Sequence, residues 1–73
     1  MKHTWQRGKI DGKYDAVLCS RCELIVAAIP GFQGMKKGDS VYLPAYHVIV
    51  YSESSLTEKS IDMLVKKHNI DCG

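Results

Sequence analysis

Apolar runs broken by turn-forming residues mark most of the elements along this chain. Thr4, Trp5 and Ile10 support a strand over residues 3 to 10. Asp11-Gly12 follows, a pair suited to a tight hairpin turn, and Tyr14 to Leu18 reads as the returning strand. Beyond Cys19-Ser20-Arg21-Cys22, the stretch Glu23 to Ile29 is rich in β-branched residues and reads as a buried strand, although its two alanines leave a helix open. Pro30-Gly31 stops it. Residues 30 to 40 hold three glycines and a proline and form a long loop for so small a chain. Val41-Tyr42-Leu43 reads as a short strand ended by Pro44. Ala45 to Tyr51 is the clearest strand, apolar on both faces and therefore central or packed on two sides.

The pattern then changes period. Ile61, Leu64, Val65 and His68 fall at i, i+3, i+4 and i+7, one stripe of a helix, with Lys59, Lys66 and Lys67 on its other side. Ser55 followed by Glu58 reads as the capping box that opens this helix, and Asn69 as its C-terminal cap. These elements predict a single α+β domain over residues 1–73. Its core is a small antiparallel sheet of three to four strands with one C-terminal helix across it.

Composition adds limits. The chain is 45% hydrophobic and 25% charged, which places it among globular domains rather than disordered ones. A net charge of +2 is too mild to announce a nucleic-acid binder. No apolar run reaches membrane-spanning length, and MKHTWQRGKI lacks the apolar region of a signal peptide, so neither membrane insertion nor secretion is expected. Three cysteines form no disulfide framework, which suits a reducing cytoplasm.

Those cysteines carry the strongest chemical signal. Cys19 and Cys22 have the spacing of a zinc knuckle, and His68 and Cys72 lie four residues apart at the end of the predicted helix. Thiolate and imidazole are the ligands zinc prefers, so Cys19, Cys22, His68 and Cys72 make one candidate tetrahedral site, with zinc as the expected cofactor. A small core gains most from such a staple. The long spacer between the two pairs and the lack of a glycine after Cys22 weigh against it. In the competing reading, Cys19 and Cys22 are small apolar residues at a sheet end and Cys72 belongs to a loose tail. His47 is a substitute ligand, better read as a packed strand residue, and His3 is expected to have no metal role. A thiol–disulfide function for Cys19 and Cys22 is a further alternative. It would need a helix starting at Cys22, which Pro30-Gly31 would cut to about two turns.

No catalytic triad, phosphate loop or carboxylate pair stands out, so catalytic residues are not expected. Candidate contacts with a partner lie elsewhere. Phe32 and Met35 beside Lys36 and Lys37 make an apolar and basic loop suited to binding protein, with Trp5 as a second anchor. Both could equally cap a thin core. Arg7, Lys9, Lys36 and Lys37, with the aromatics, allow a zinc-ribbon-like nucleic-acid surface as a secondary reading.

A lone small domain with no targeting segment, no enzyme motif and near-neutral charge resembles the small proteins that lytic phages make to take over a host. Within that group it is similar to the transcription regulators of Xanthomonas phages. The Cys19-Ser20-Arg21-Cys22 knuckle and the charged helix from Ser55 to His68 are compatible with this likeness. The resemblance implies a regulator that binds bacterial RNA polymerase in the host cytoplasm, interferes with sigma or promotes antitermination. It implies docking on the N-terminal region of the β′ subunit and on the β flap.

Overall fold

In the computed structural model, which describes residues 2–72, five strands form one sheet and a single helix closes the chain. The strands are β1 (Trp5–Ile10), β2 (Tyr14–Cys19), β3 (Ile25–Ala28), β4 (Ser40–Leu43) and β5 (Val48–Tyr51). The helix α1 spans Glu58–His68, and a short 3₁₀ turn covers Phe32–Gly34. The α+β class is as the sequence indicates. The sheet is larger than the expected three to four strands, and its order is β1-β2-β3-β5-β4.

The first hairpin follows from its turn. Asp11 and Gly12 both take left-handed backbone angles, φ 54° and 70°, and the Lys13 N–H donates to the Ile10 carbonyl at 3.1 Å. This mirror-image turn matches the twist of two antiparallel strands. It fixes a register running from Ile10 opposite Tyr14 to Trp5 opposite Cys19.

The antiparallel expectation fails at one pairing, because β3 and β5 run parallel. The long loop after β3 carries the chain past one strand position, β4 forms at the edge, and β5 returns into the gap. Ser52, the buried residue just after β5, ties that loop down. Its hydroxyl accepts from the Gly31 N–H at 3.0 Å and donates to the Met35 carbonyl at 3.4 Å. Its backbone pairs with Gly38 and Asp39 at 2.9 and 2.8 Å. A buried hydroxyl so fully bonded avoids the cost of an orphaned polar group. β5 also starts later than the apolar pattern suggests. Pro44 to His47 form a turn, and His47, at φ 53°, shares a 2.9 Å hydrogen bond with the Tyr42 hydroxyl through its Nδ1.

One face of the sheet meets the helix. Val17, Val26 and Ile49 pack with Leu56, Ile61 and Leu64 into the main core. The helix opens at Thr57 rather than Ser55. The Thr57 hydroxyl accepts from the Ser60 N–H at 3.1 Å, and the Ser60 hydroxyl accepts from the Thr57 N–H at 2.9 Å. Serine thus does the work at the third helical position that the Ser55–Glu58 reading gave to glutamate. Asn69 ends the helix as expected, at φ 55°, and the Ile70 N–H bonds back to the Val65 carbonyl at 3.2 Å.

Candidate metal centre

β2 delivers Cys19 to the end of the sheet, on the face that carries the main core. The chain then reverses over Ser20, Arg21 and Cys22. The Glu23 N–H donates to the Cys19 carbonyl and the Cys19 N–H to the Leu24 carbonyl, both at 2.9 Å. Glu23 has φ 65°, so it occupies the left-handed position that a glycine would fill more cheaply. The knuckle therefore forms without the glycine whose absence counted against it.

His3 completes this corner. The Ser20 N–H donates to the Thr4 carbonyl at 2.9 Å, which carries the hairpin ladder one step beyond Trp5. From the other end of the molecule, the turn at Asn69 swings the tail back and buries Cys72 against the main core.

His3, Cys19, Cys22 and Cys72 each offer one ligand atom, and the four atoms lie within 4.8 Å of one another. Cys19 Sγ is 3.5 Å from Cys72 Sγ, and Cys22 Sγ is 3.4 Å from His3 Nδ1. Donors of a tetrahedral zinc sit about 3.6–3.8 Å apart, from bond lengths of roughly 2.0–2.3 Å. This group of side chains could therefore hold a metal ion. The imidazole is oriented for it. His3 Nε2 reaches the Ile70 carbonyl at 3.0 Å, and the ring stacks on Trp5 with centroids 4.8 Å apart. A proton on Nε2 donates to that carbonyl and leaves the Nδ1 lone pair facing the sulfurs, which is how metal-binding histidines are usually held.

The electrostatics are those of crowded sulfurs. Burial pushes the Cys19 thiol up, but hydrogen bonds with the backbone of Cys22, Arg21 and Thr4 and with His3 outweigh it, and the value falls from 9.0 to about 5. Burial pushes Cys72 up, and its hydrogen bonds with Cys19 and Cys22 and their negative charge push the same way, to about 11. One sulfur settles as thiolate while its neighbour keeps its proton.

The structure thus brings together Cys19, Cys22 and Cys72 from the expected set and replaces the fourth member. His68 is not part of the cluster. Its Nε2 shares a 2.8 Å hydrogen bond with the Ser40 hydroxyl on β4. Its pKa is lowered from 6.5 by burial and by the charge of Lys67. The spacing of His68 and Cys72 would align them only on a continuing helix, and Asn69 breaks it. His3, to which no metal role was given, takes the place.

The residues singled out for partner contact are scattered. Trp5 is half-buried, packed on the core and under His3. Arg7 donates to the Leu56 carbonyl at 3.1 Å, and Arg7 and Lys9 both reach Asp15, at 3.6 and 3.7 Å. Phe32 and Met35 are half-buried in the loop that Ser52 anchors, with Lys36 and Lys37 exposed beside them. No helix among the described residues is long and apolar enough to cross a membrane. No family model, curated protein or solved structure matches the chain.

Proposed function

We propose that this chain is a zinc-stapled regulatory protein that works by binding a larger machine rather than by catalysis, and that the machine is bacterial RNA polymerase. The observation that carries the reading is the donor set of three sulfurs and one imidazole nitrogen gathered at the sheet end. Sulfur-rich tetrahedral sets suit zinc, whereas calcium and magnesium take oxygen ligands. Four protein donors also fill the coordination shell and leave no open position for water or substrate, the pattern of a structural site. A bound divalent ion would hold all three cysteines as thiolates, Cys72 included. It would join the knuckle, the segment before β1 and the tail after α1 at one node.

A small domain held this way can act as a rigid wedge. Half-buried Trp5 and Phe32 supply apolar anchors, and Lys36 and Lys37 supply a charged rim. The polymerase, with the β′ N-terminal region and the β flap as docking surfaces, enters through the likeness to phage transcription regulators. Arg7 and Lys9 are engaged by Asp15 and Leu56, which speaks for a role in the fold over one on phosphates.

Two measurements test the two halves separately. Elemental analysis of the purified chain should find one zinc per molecule, and a metal-free yet folded chain would refute the staple. Zinc-loaded protein should co-elute with purified bacterial RNA polymerase in size-exclusion chromatography, and independent elution would refute that partner.

A further inference from the structure

The same corner of the molecule carries a second chemistry, and the sulfur positions alone support it, with or without an ion. All three cysteines are free thiols. Cys19 Sγ and Cys72 Sγ already touch at 3.5 Å, and Cys22 Sγ lies against both Cys72 and His3 Nδ1, 3.4 Å from the latter. A disulfide has an S–S bond of about 2.05 Å, so the two sulfurs need to close by only about 1.5 Å. Closing Cys19 on Cys22 instead would have to bend the knuckle turn itself. The hydrogen bonds of Cys19 with Leu24 and Glu23 hold that turn in place. Cys72 lies in the short tail beyond the Ile70–Val65 bond. We infer that Cys19 and Cys72 form an oxidative modification site, at which a peroxide closes a disulfide between the sheet end and the tail. The Cys-x-x-Cys spacing alone would suggest Cys19 with Cys22 instead.

The chemistry balances with hydrogen peroxide as oxidant. A thiolate attacks one peroxide oxygen, the O–O bond breaks, the sulfur becomes a sulfenic acid, and the departing hydroxide leaves as water after taking a proton. A second thiol attacks the sulfenic sulfur, the S–S bond forms, and the hydroxyl departs as a second water. Two thiols lose two electrons and two protons, and one peroxide becomes two waters. Oxidant reaches the cluster most readily at half-buried Cys22. A bond made there first passes on by thiol–disulfide exchange, in which one S–S bond breaks as the next forms, because all three sulfurs lie within 4.8 Å. The end product removes two of the four donors, so any ion is released. The tail nevertheless stays pinned, now covalently. The protein keeps its closed corner through a change that empties the site.

Trypsin makes the test direct, because cleavage after Lys13, Arg21, Lys36 and Lys67 puts the three cysteines into three peptides, residues 14–21, 22–36 and 68–73. The whole chain is treated with hydrogen peroxide, remaining thiols are alkylated, and the unreduced digest is read by mass spectrometry. The expected product joins 14–21 to 68–73, with Cys22 alkylated. A dominant link from 22–36 to either other peptide, or sulfinic acids without a cross-link, would overturn it. An unfolded chain favours the short Cys19–Cys22 loop by on the order of fiftyfold, so an excess of the long-range link reports the folded arrangement. Cys22→Ser should still give that link, and its loss in a variant that remains folded counts against the inference. A chain that takes no zinc but joins Cys19 to Cys72 refutes the zinc reading alone. A chain that loads zinc but joins Cys19 to Cys22 refutes this inference alone.

Discussion

Two histidine substitutions separate the His3 cluster, as a candidate metal site, from the set that the spacing implies. An ion present at a hundred times its dissociation constant stabilises the folded chain by about 2.7 kcal/mol. For a domain of this size each kcal/mol moves the melting temperature by roughly 4–8 °C, so zinc should raise it by about 10–20 °C. His3→Gln removes the imidazole that faces the three sulfurs. If the ion then binds a hundredfold more weakly, only about 0.4 kcal/mol of the gain survives at the same free zinc, or roughly 2–3 °C. His68→Gln removes only the bond to Ser40. It should cost about 0.5–1.5 kcal/mol whether or not zinc is present, and the zinc-dependent increment should stay whole. The assay is thermal unfolding by circular dichroism in chelator-buffered zinc, with and without metal, for the parent and both variants. An increment that survives His3→Gln and vanishes in His68→Gln would refute the assignment of His3.

Three further outcomes follow from the packing. Ser52→Ala deprives the Gly31 N–H of its acceptor and the Met35 carbonyl of a donor, so it should cost about 1–3 kcal/mol in urea unfolding. Glu23→Gly relaxes a left-handed position held by a non-glycine residue and should stabilise by about 0.5–1 kcal/mol, measured the same way. Stability should also fall in acid as His68 titrates. Its folded pKa lies below 6.5 because burial and Lys67 disfavour the charge. The unfolded chain therefore takes up a proton first, and the histidine's contribution, whole above pH 6.5, is lost as pH drops below that value. His68→Gln should flatten that part of a stability curve measured from pH 5 to 8.

Much of this was readable from residue order, where local rules decide. Asp11-Gly12 marked the first hairpin, the 3.6-residue stripe located the helix, and Asn69 marked its end. Cys19 and Cys22 announced themselves by spacing. His3 did not, because no motif links a residue to a cysteine sixteen positions later. One signal could have found it. The Asp11-Gly12 turn sets the hairpin register, Trp5 pairs with Cys19, and two more steps place His3 opposite Arg21, between the two cysteines. Reading His68 with Cys72 failed because it assumed helical geometry past the residue chosen as the helix's end. The β3–β5 pairing was hidden for a different reason. A parallel pair is brought together by a crossover whose path depends on where β4 comes to lie, and neither strand encodes that locally.

The placement of β5 has a consequence for the order in which the molecule assembles. The N-terminal hairpin closes on neighbours and can form by itself, because loop closure over so few residues is cheap. β4 and β5, joined by the turn over Pro44 to His47, can pair as locally as the first hairpin does, so the long-range step is their docking on β3. Until that docking is made, the edge of β3 is bare. Such edges are what other copies of a polypeptide pair with, so the window for self-association during folding is set by how quickly residues 29–39 span the gap.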